Sequence, residues 1–202
     1  MVDMHGIRPT HFLCTLVISL LISLSTKGTA QDATPEAPVP DQTKLGTEML
    51  KNGSFDTFVI NDEEVFKGSP SNWRAAPAAL VTADYFDPER LCVVELSPDE
   101  QKYVNLEQEV TLPNTPAQIA ISVDVLCEDV GKVVLTLIAV LDDGGQKRLV
   151  SVNNKLSRQW ETLAATIDLP ADFSAKKLVF RVSQRPGASQ PSLIDNASMR
   201  SE

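Results

Sequence analysis

His5 and His11 are the two histidines of the chain, and both precede Phe12. Beyond residue 30 the groups able to do chemistry are carboxylates, amines, guanidiniums and two thiols. Without an imidazole, that stretch cannot build a Ser-His-Asp triad, a Cys-His dyad or a histidine zinc site. Asp and Glu number 27, so the paired carboxylates of a glycosidase remain open on composition alone. Cys92 and Cys127 have no base to activate them and are not credible nucleophiles.

The histidines belong to a segment that reads as an export signal. Arg8 lies in a weakly basic opening, and residues 12–24 (FLCTLVISLLISL) form an apolar run. That run is shorter than the roughly 20 residues of a spanning helix. Gly28 and Ala30 suit the small positions of a signal-peptidase site, so residues 1–30 are expected to be a cleaved signal peptide. Residues 31–44, rich in Pro, Ala and acid, read as a flexible linker. Residues 45–202 are long enough for one domain that buries roughly 70 % of its unfolded surface. A net charge of −9 argues against nucleic acid or an anionic membrane as partner. No second run of spanning length follows, so no membrane contact is expected once the signal is cleaved. In an exported protein Cys92 and Cys127 suit a disulfide worth about 3–4 kcal/mol. The alternative is two buried small residues beside Val94, Leu96, Val123 and Val125.

The elements that must position any site are short strands. Residues 117–127 (AQIAISVDVLC) alternate strictly, with Ile119, Ile121, Val123, Val125 and Cys127 on one face. Residues 132–141 (KVVLTLIAVL) are apolar at almost every position and predict a central strand covered on both faces. Asp142-Asp143-Gly144-Gly145 follows as a hairpin turn into 146–152. Further runs at 78–86, 91–96, 103–112, 159–167, 177–183 and 192–199 complete the pattern. Residues 97–102 read as a loop. Long stretches of helical period are absent, which predicts an all-β antiparallel β-sandwich of jelly-roll type.

Three motifs, in order, carry a family likeness. The domain opens with Met49-Leu50-Lys51-Asn52-Gly53-Ser54-Phe55-Asp56 and reaches Ser71-Asn72-Trp73. Gln159-Trp160-Glu161-Thr162-Leu163 follows, and the chain closes with Leu193-Ile194-Asp195-Asn196-Ala197-Ser198-Met199. Over roughly residues 48–200 this resembles the jelly-roll, galactose-binding-like carbohydrate-binding modules that accompany bacterial cellulases and xylanases. The chain departs from that pattern at Phe86-Asp87-Pro88-Glu89-Arg90 and after Pro113, where the family usually has glycine turns. The resemblance implies a sandwich whose first and last strands are neighbours, a core position for Trp160, and a glycan or polysaccharide as partner. It also implies a structural Ca²⁺ held by Asp56 and Asp195, since hard cations take carboxylate oxygens.

Sugar rings stack on aromatic faces and need planar polar groups for their hydroxyls. The candidates are Trp73, Tyr85, Tyr103 and Gln108, with Tyr103 and Gln108 expected on one concave face. Such aromatics are scarce, which favours the second reading, a structural or protein-interaction sandwich of the cell envelope that binds no sugar. Neither reading is an enzyme.

Overall fold

The computed structural model describes residues 46–62, 67–84, 90, 92–112 and 114–201. The expected signal peptide and linker, and Tyr85, lie outside these residues. Thirteen strands are described: β1 (Thr47–Glu48), β2 (Phe58–Asp62), β3 (Lys67–Pro70), β4 (Arg74–Ala76), β5 (Val81–Asp84), β6 (Val93–Leu96), β7 (Val104–Thr111), β8 (Gln118–Leu126), β9 (Val133–Val140), β10 (Gln146–Asn153), β11 (Trp160–Asp168), β12 (Lys177–Gln184) and β13 (Ser192–Ser201). Among the described residues they form two sheets. One runs β11-β8-β13-β6-β5-β3-β2, with β1 added beside β13, and the other runs β10-β9-β12-β7-β4. The pairings are antiparallel, and the expected β-sandwich is the fold that forms.

Alternation decides what lies between the sheets. On β8, Ile119, Ile121, Val123 and Val125 point inward and are almost fully buried. Opposite them stand Val133, Leu135, Leu137 and Ala139 of β9 and Leu178, Phe180 and Val182 of β12, in one continuous core. The Gly144 turn forms as expected, with φ of 85° and its N–H on the Leu141 carbonyl at 3.0 Å.

The ends of the domain are tied together, as the motifs imply. β1 pairs with β13, Thr47 opposite Ser201. Glu48 clasps that junction: Oε1 accepts the N–H groups of Met49, Leu50 and Met199, while Oε2 accepts the Ser198 hydroxyl at 2.5 Å. The opening motif is a structural staple. Asn52, held at φ 54°, uses its side-chain amide to donate to the Thr57 and Ser71 carbonyls and to accept from the Thr57 N–H. Gly53 is required by close approach, because a Cβ there would sit 2.0 Å from the Ala197 carbonyl oxygen. Phe55, fully buried, stacks 5.1 Å from Trp73.

The expected disulfide between Cys92 and Cys127 does not form: the two buried cysteines are not joined. The sheet explains why. Cys92 precedes β6 and Cys127 follows β8, and β13 runs between those strands. Ile194 of β13 lies opposite both Val94 and Val125, so the cysteines stand on the two sides of β13, Cys127 near its start and Cys92 near its middle. Two strand spacings alone separate them by about 10 Å, beyond the roughly 7 Å limit for bridged Cα atoms. The Cys92 thiol donates instead to the Phe55 carbonyl at 2.8 Å, and that of Cys127 to the Asp129 carbonyl at 3.2 Å.

Candidate functional site

The outer face of the five-stranded sheet is built from residues of one parity on each strand. One row crosses it completely, with Ser151 (β10), Thr136 (β9), Arg181 (β12), Glu107 (β7) and Arg74 (β4) side by side. The next row places Asn153, Val134, Ser183, Asn105 and Ala76 in register. On the other side, Arg148 stands opposite Ile138, and Val179 pairs with Ile138 and Glu109.

Between these rows runs a groove of about 420 Å³, with Tyr103 at its rim and Arg148, Arg181 and Arg185 among its walls. Val134, Thr136 and Ile138 form its floor. The run 132–141 is apolar at almost every position, as expected of a strand covered on both faces, yet among the described residues no further layer covers the outer face of β9. Those three residues are only 6–8 % exposed, and Arg148, Arg181 and Arg185 line the groove beside them. Arginine stems cover apolar surface while their charged heads stay in water.

The groove is cationic on an acidic protein. Among the described residues its lining carries three arginines and no carboxylate. Glu107, 3 % exposed, lies in the same face and is neutralised by an ion pair with Arg74 and by Arg181 Nε at 2.5 Å. The Ser183 hydroxyl donates to Asn105 Oδ1 at 2.7 Å, fixing that amide. Farther along, Lys177 pairs with Glu109 at 2.5 Å, and hydrogen bonding to that lysine holds the Glu109 carboxyl below its usual range against a small opposing effect of burial.

Of the residues singled out from sequence, Tyr103 lies at this groove, 53 % exposed. Gln108 does not. Residues 103, 105 and 107 face outward, so 108 faces the core, where its amide accepts from the Lys51 N–H at 2.7 Å and donates to the Lys51 carbonyl at 2.8 Å. Strand parity alone separates Gln108 from Tyr103. Trp73 is also structural. Its ring packs edge-on against Phe180 at 5.8 Å as well as against Phe55, and its indole N–H donates to the Asn52 carbonyl. The arginines were not singled out from sequence, although Arg181 and Arg185 share strand parity and could have been placed on one face.

Trp160 is the reverse case, since the core position implied for it is not what the fold provides. It shares outward parity with Thr162, while Leu163 points inward at 1 % exposure. The Arg90 guanidinium stacks 4.1 Å over its ring centroid. The same guanidinium bridges Asp124 and Asp195, each at 2.8 Å, carboxylates that face one another across β8 and β13. Burial by itself would push the Asp124 carboxyl up. Hydrogen bonds from Thr162, Asn196 and Arg90, with the charge of Arg90, outweigh it and hold that carboxyl below its usual value. A second cavity of about 480 Å³ opens beside this network, lined by Glu48, Asp124, Thr162, Asn196 and Arg200. Its acids are already engaged by the protein.

That network bears on calcium. Ca²⁺ requires six to eight oxygens. Asp195 spends one oxygen on Arg90 and the other on the Asn196 N–H at 2.7 Å, and Asp56 is exposed. Among the described residues no group of three or more carboxylate, thiol or imidazole side chains converges as a metal site would. With both of its oxygens committed, Asp195 as placed here does not offer the ligand that the expected site needs.

No protein-family model matches the sequence, and no curated protein sequence matches it. Solved structures do share the fold. The carbohydrate-binding module TmCBM61, determined in complex with β-1,4-galactotriose, aligns at TM-score 0.54 and 20 % identity, covering 78 % of this chain and 100 % of that one. The CBM22-1 xylan-binding domain of Xyn10C from Paenibacillus barcinonensis aligns at 0.52 and 13 %, covering 78 % and 96 %. A Stig cyclase from Fischerella sp. TAU aligns at 0.59 and 15 %, covering 78 % and 98 %. The chain also spans about a fifth of a tailspike chain of bacteriophage CBA120, at 0.56 and 13 %. These likenesses establish the jelly-roll sandwich common to carbohydrate-binding modules, and nothing finer. Among the described residues no helix is long and apolar enough to cross a membrane.

Proposed function

We propose that this chain is a non-catalytic carbohydrate-binding module of an exported protein, with its glycan lying across the outer face of the five-stranded sheet. The observation that carries the reading is the groove itself. It is a sheet face that no further layer covers among the described residues, with an almost fully buried, mostly apolar floor, an exposed tyrosine at its rim and polar groups along its walls. That combination suits a sugar chain, whose C–H faces pack on apolar and aromatic surface while its hydroxyls take the polar groups. The shared fold with glycan-binding modules supports it. The lack of histidine beyond residue 30 and, among the described residues, of a carboxylate in the groove lining support the non-catalytic part. Export rests on residues 1–30 and is tested by sequencing the N-terminus of secreted material, which should begin at Gln31.

Affinity electrophoresis of the protein through gels containing a panel of polysaccharides tests binding. Retardation by at least one, lost in Tyr103→Ala, is the expected result. Migration unchanged across the panel would favour the second reading, an envelope scaffold or protein-interaction domain. That reading draws on Trp73, which the core consumes and which therefore offers no sugar platform.

A further inference from the structure

Resting on the groove as a glycan site, we infer that its ligand is an acidic polysaccharide, a chain of pyranoses carrying carboxylate or sulfate groups. Three arginines line one groove of a protein whose net charge is −9. A neutral glycan can accept hydrogen bonds from guanidiniums, but its hydroxyls make no use of their charge.

The partners these arginines already have leave most of their charge uncommitted. Arg181 turns its Nε toward Glu107, and that carboxylate is shared with Arg74. Arg185 donates from an Nη to Asn153 Oδ1, a neutral acceptor, at 2.9 Å. Arg148 is exposed and makes no ion pair among the described residues. A guanidinium presents a planar fork of donors that matches carboxylate and sulfate oxygens, which a hydroxyl cannot exploit equally.

The spacing favours a polymer over a lone anion. Arg181 and Arg185 are four residues apart on one extended segment, so their Cα atoms lie about 13 Å apart. Arg148 belongs to β10, two strands from β12 in the sheet order and so about 10 Å across. A chain with repeated negative groups reaches all three, with Tyr103 beside it as a stacking surface.

The competing explanation is that the arginine stems only shield Val134, Thr136 and Ile138 from water. Arg148→Gln and Arg185→Gln separate the two, because they keep most of the stem and remove the charge. The experiment measures binding by titration calorimetry to polygalacturonate, to the same polymer after chemical reduction of its carboxyl groups, to a sulfated galactan and to neutral xylan. Each is run at low and high salt, with urea midpoints confirming that the variants remain folded. Binding to the carboxylated or the sulfated polymer, weakened at least about tenfold by each folded variant and by salt, is expected. Whichever of those two polymers binds identifies the anionic group. Equal binding to the carboxyl-reduced polymer, or variants that bind like the parent, would overturn the inference while leaving the glycan groove intact. Silence with every polymer would remove the groove as a glycan site and the inference with it. Tight binding of a single-stranded oligonucleotide that displaces the polyanion would also overturn it.

Discussion

Gly53 offers a test of the fold that can be worked through from distances. Its backbone lies against β13, where Ala197 donates its N–H to the Gly53 carbonyl at 2.9 Å. A methyl group at Gly53 would stand 2.0 Å from the Ala197 oxygen, so reaching ordinary contact at 3.4 Å requires the two segments to part by about 1.4 Å. That displacement breaks the hydrogen bond and leaves buried polar groups unpaired, costing about 1–3 kcal/mol. Overpacking against a strand held on both sides adds about 1–3 kcal/mol. Gly53→Ala should therefore destabilise by about 2–6 kcal/mol, a large part of a stability on the order of 5–15 kcal/mol. With a urea slope near 2 kcal/mol/M, the midpoint should fall by about 1–3 M. Gly131→Ala is the control. Its φ is 74° with nothing within 4 Å of a new Cβ, so only the left-handed backbone is penalised, at about 1–2 kcal/mol. Equal midpoints for the two variants, or a Gly53→Ala shift below about 0.5 kcal/mol, would refute the claim that close approach of the opening motif to β13 fixes this glycine.

Three further outcomes follow from named contacts. Arg90→Met should lower stability by about 1–3 kcal/mol, because it leaves Asp124 and Asp195 facing each other without their shared cation. Millimolar Ca²⁺ should leave the Tm of the parent unchanged, since Arg90 already occupies those carboxylates, and a calcium-dependent rise lost in Asp195→Ala would contradict this. The folded-state pKa of Asp124 is depressed, so its contribution is fully present above the unfolded value of about 3.9 and disappears as pH falls through the lower folded value. Asp124→Asn should accordingly be less stable than the parent at neutral pH, with the gap closing below about pH 4; a gap independent of pH in urea unfolding would show the attribution to be wrong. Proteolytic mapping without reductant should recover no peptide joining Cys92 to Cys127.

The sequence by itself determined the sheets' inner faces. Alternation at Ile119–Val125 fixes which side of β8 is buried, because a strand's side chains can point only two ways. Asp142–Gly145 fixes the hairpin through the φ its glycine permits, and the family resemblance carried by the Asn52, Trp160 and Asp195 motifs implies that the domain's first and last strands meet. Parity also held information at the site: Tyr103 and Gln108 could not share a face, and Arg181 and Arg185 had to.

What the sequence could not supply was which elements are neighbours and which outer faces stay bare. The apolar run 132–141 predicts burial on both sides, and only the finished sandwich shows that one side is the floor of a groove walled by arginines. Arg90 reaches Asp195 across 105 positions of chain and draws that acid, expected with Asp56 at a metal, into a salt-bridged network with Asp124 instead. Cys92 and Cys127 look like a pair in composition, yet β13 runs between their strands. In each case the local pattern limits the possible orientations of a side chain, while its partner is set by strand order, a long-range property that short-range periodicity does not encode.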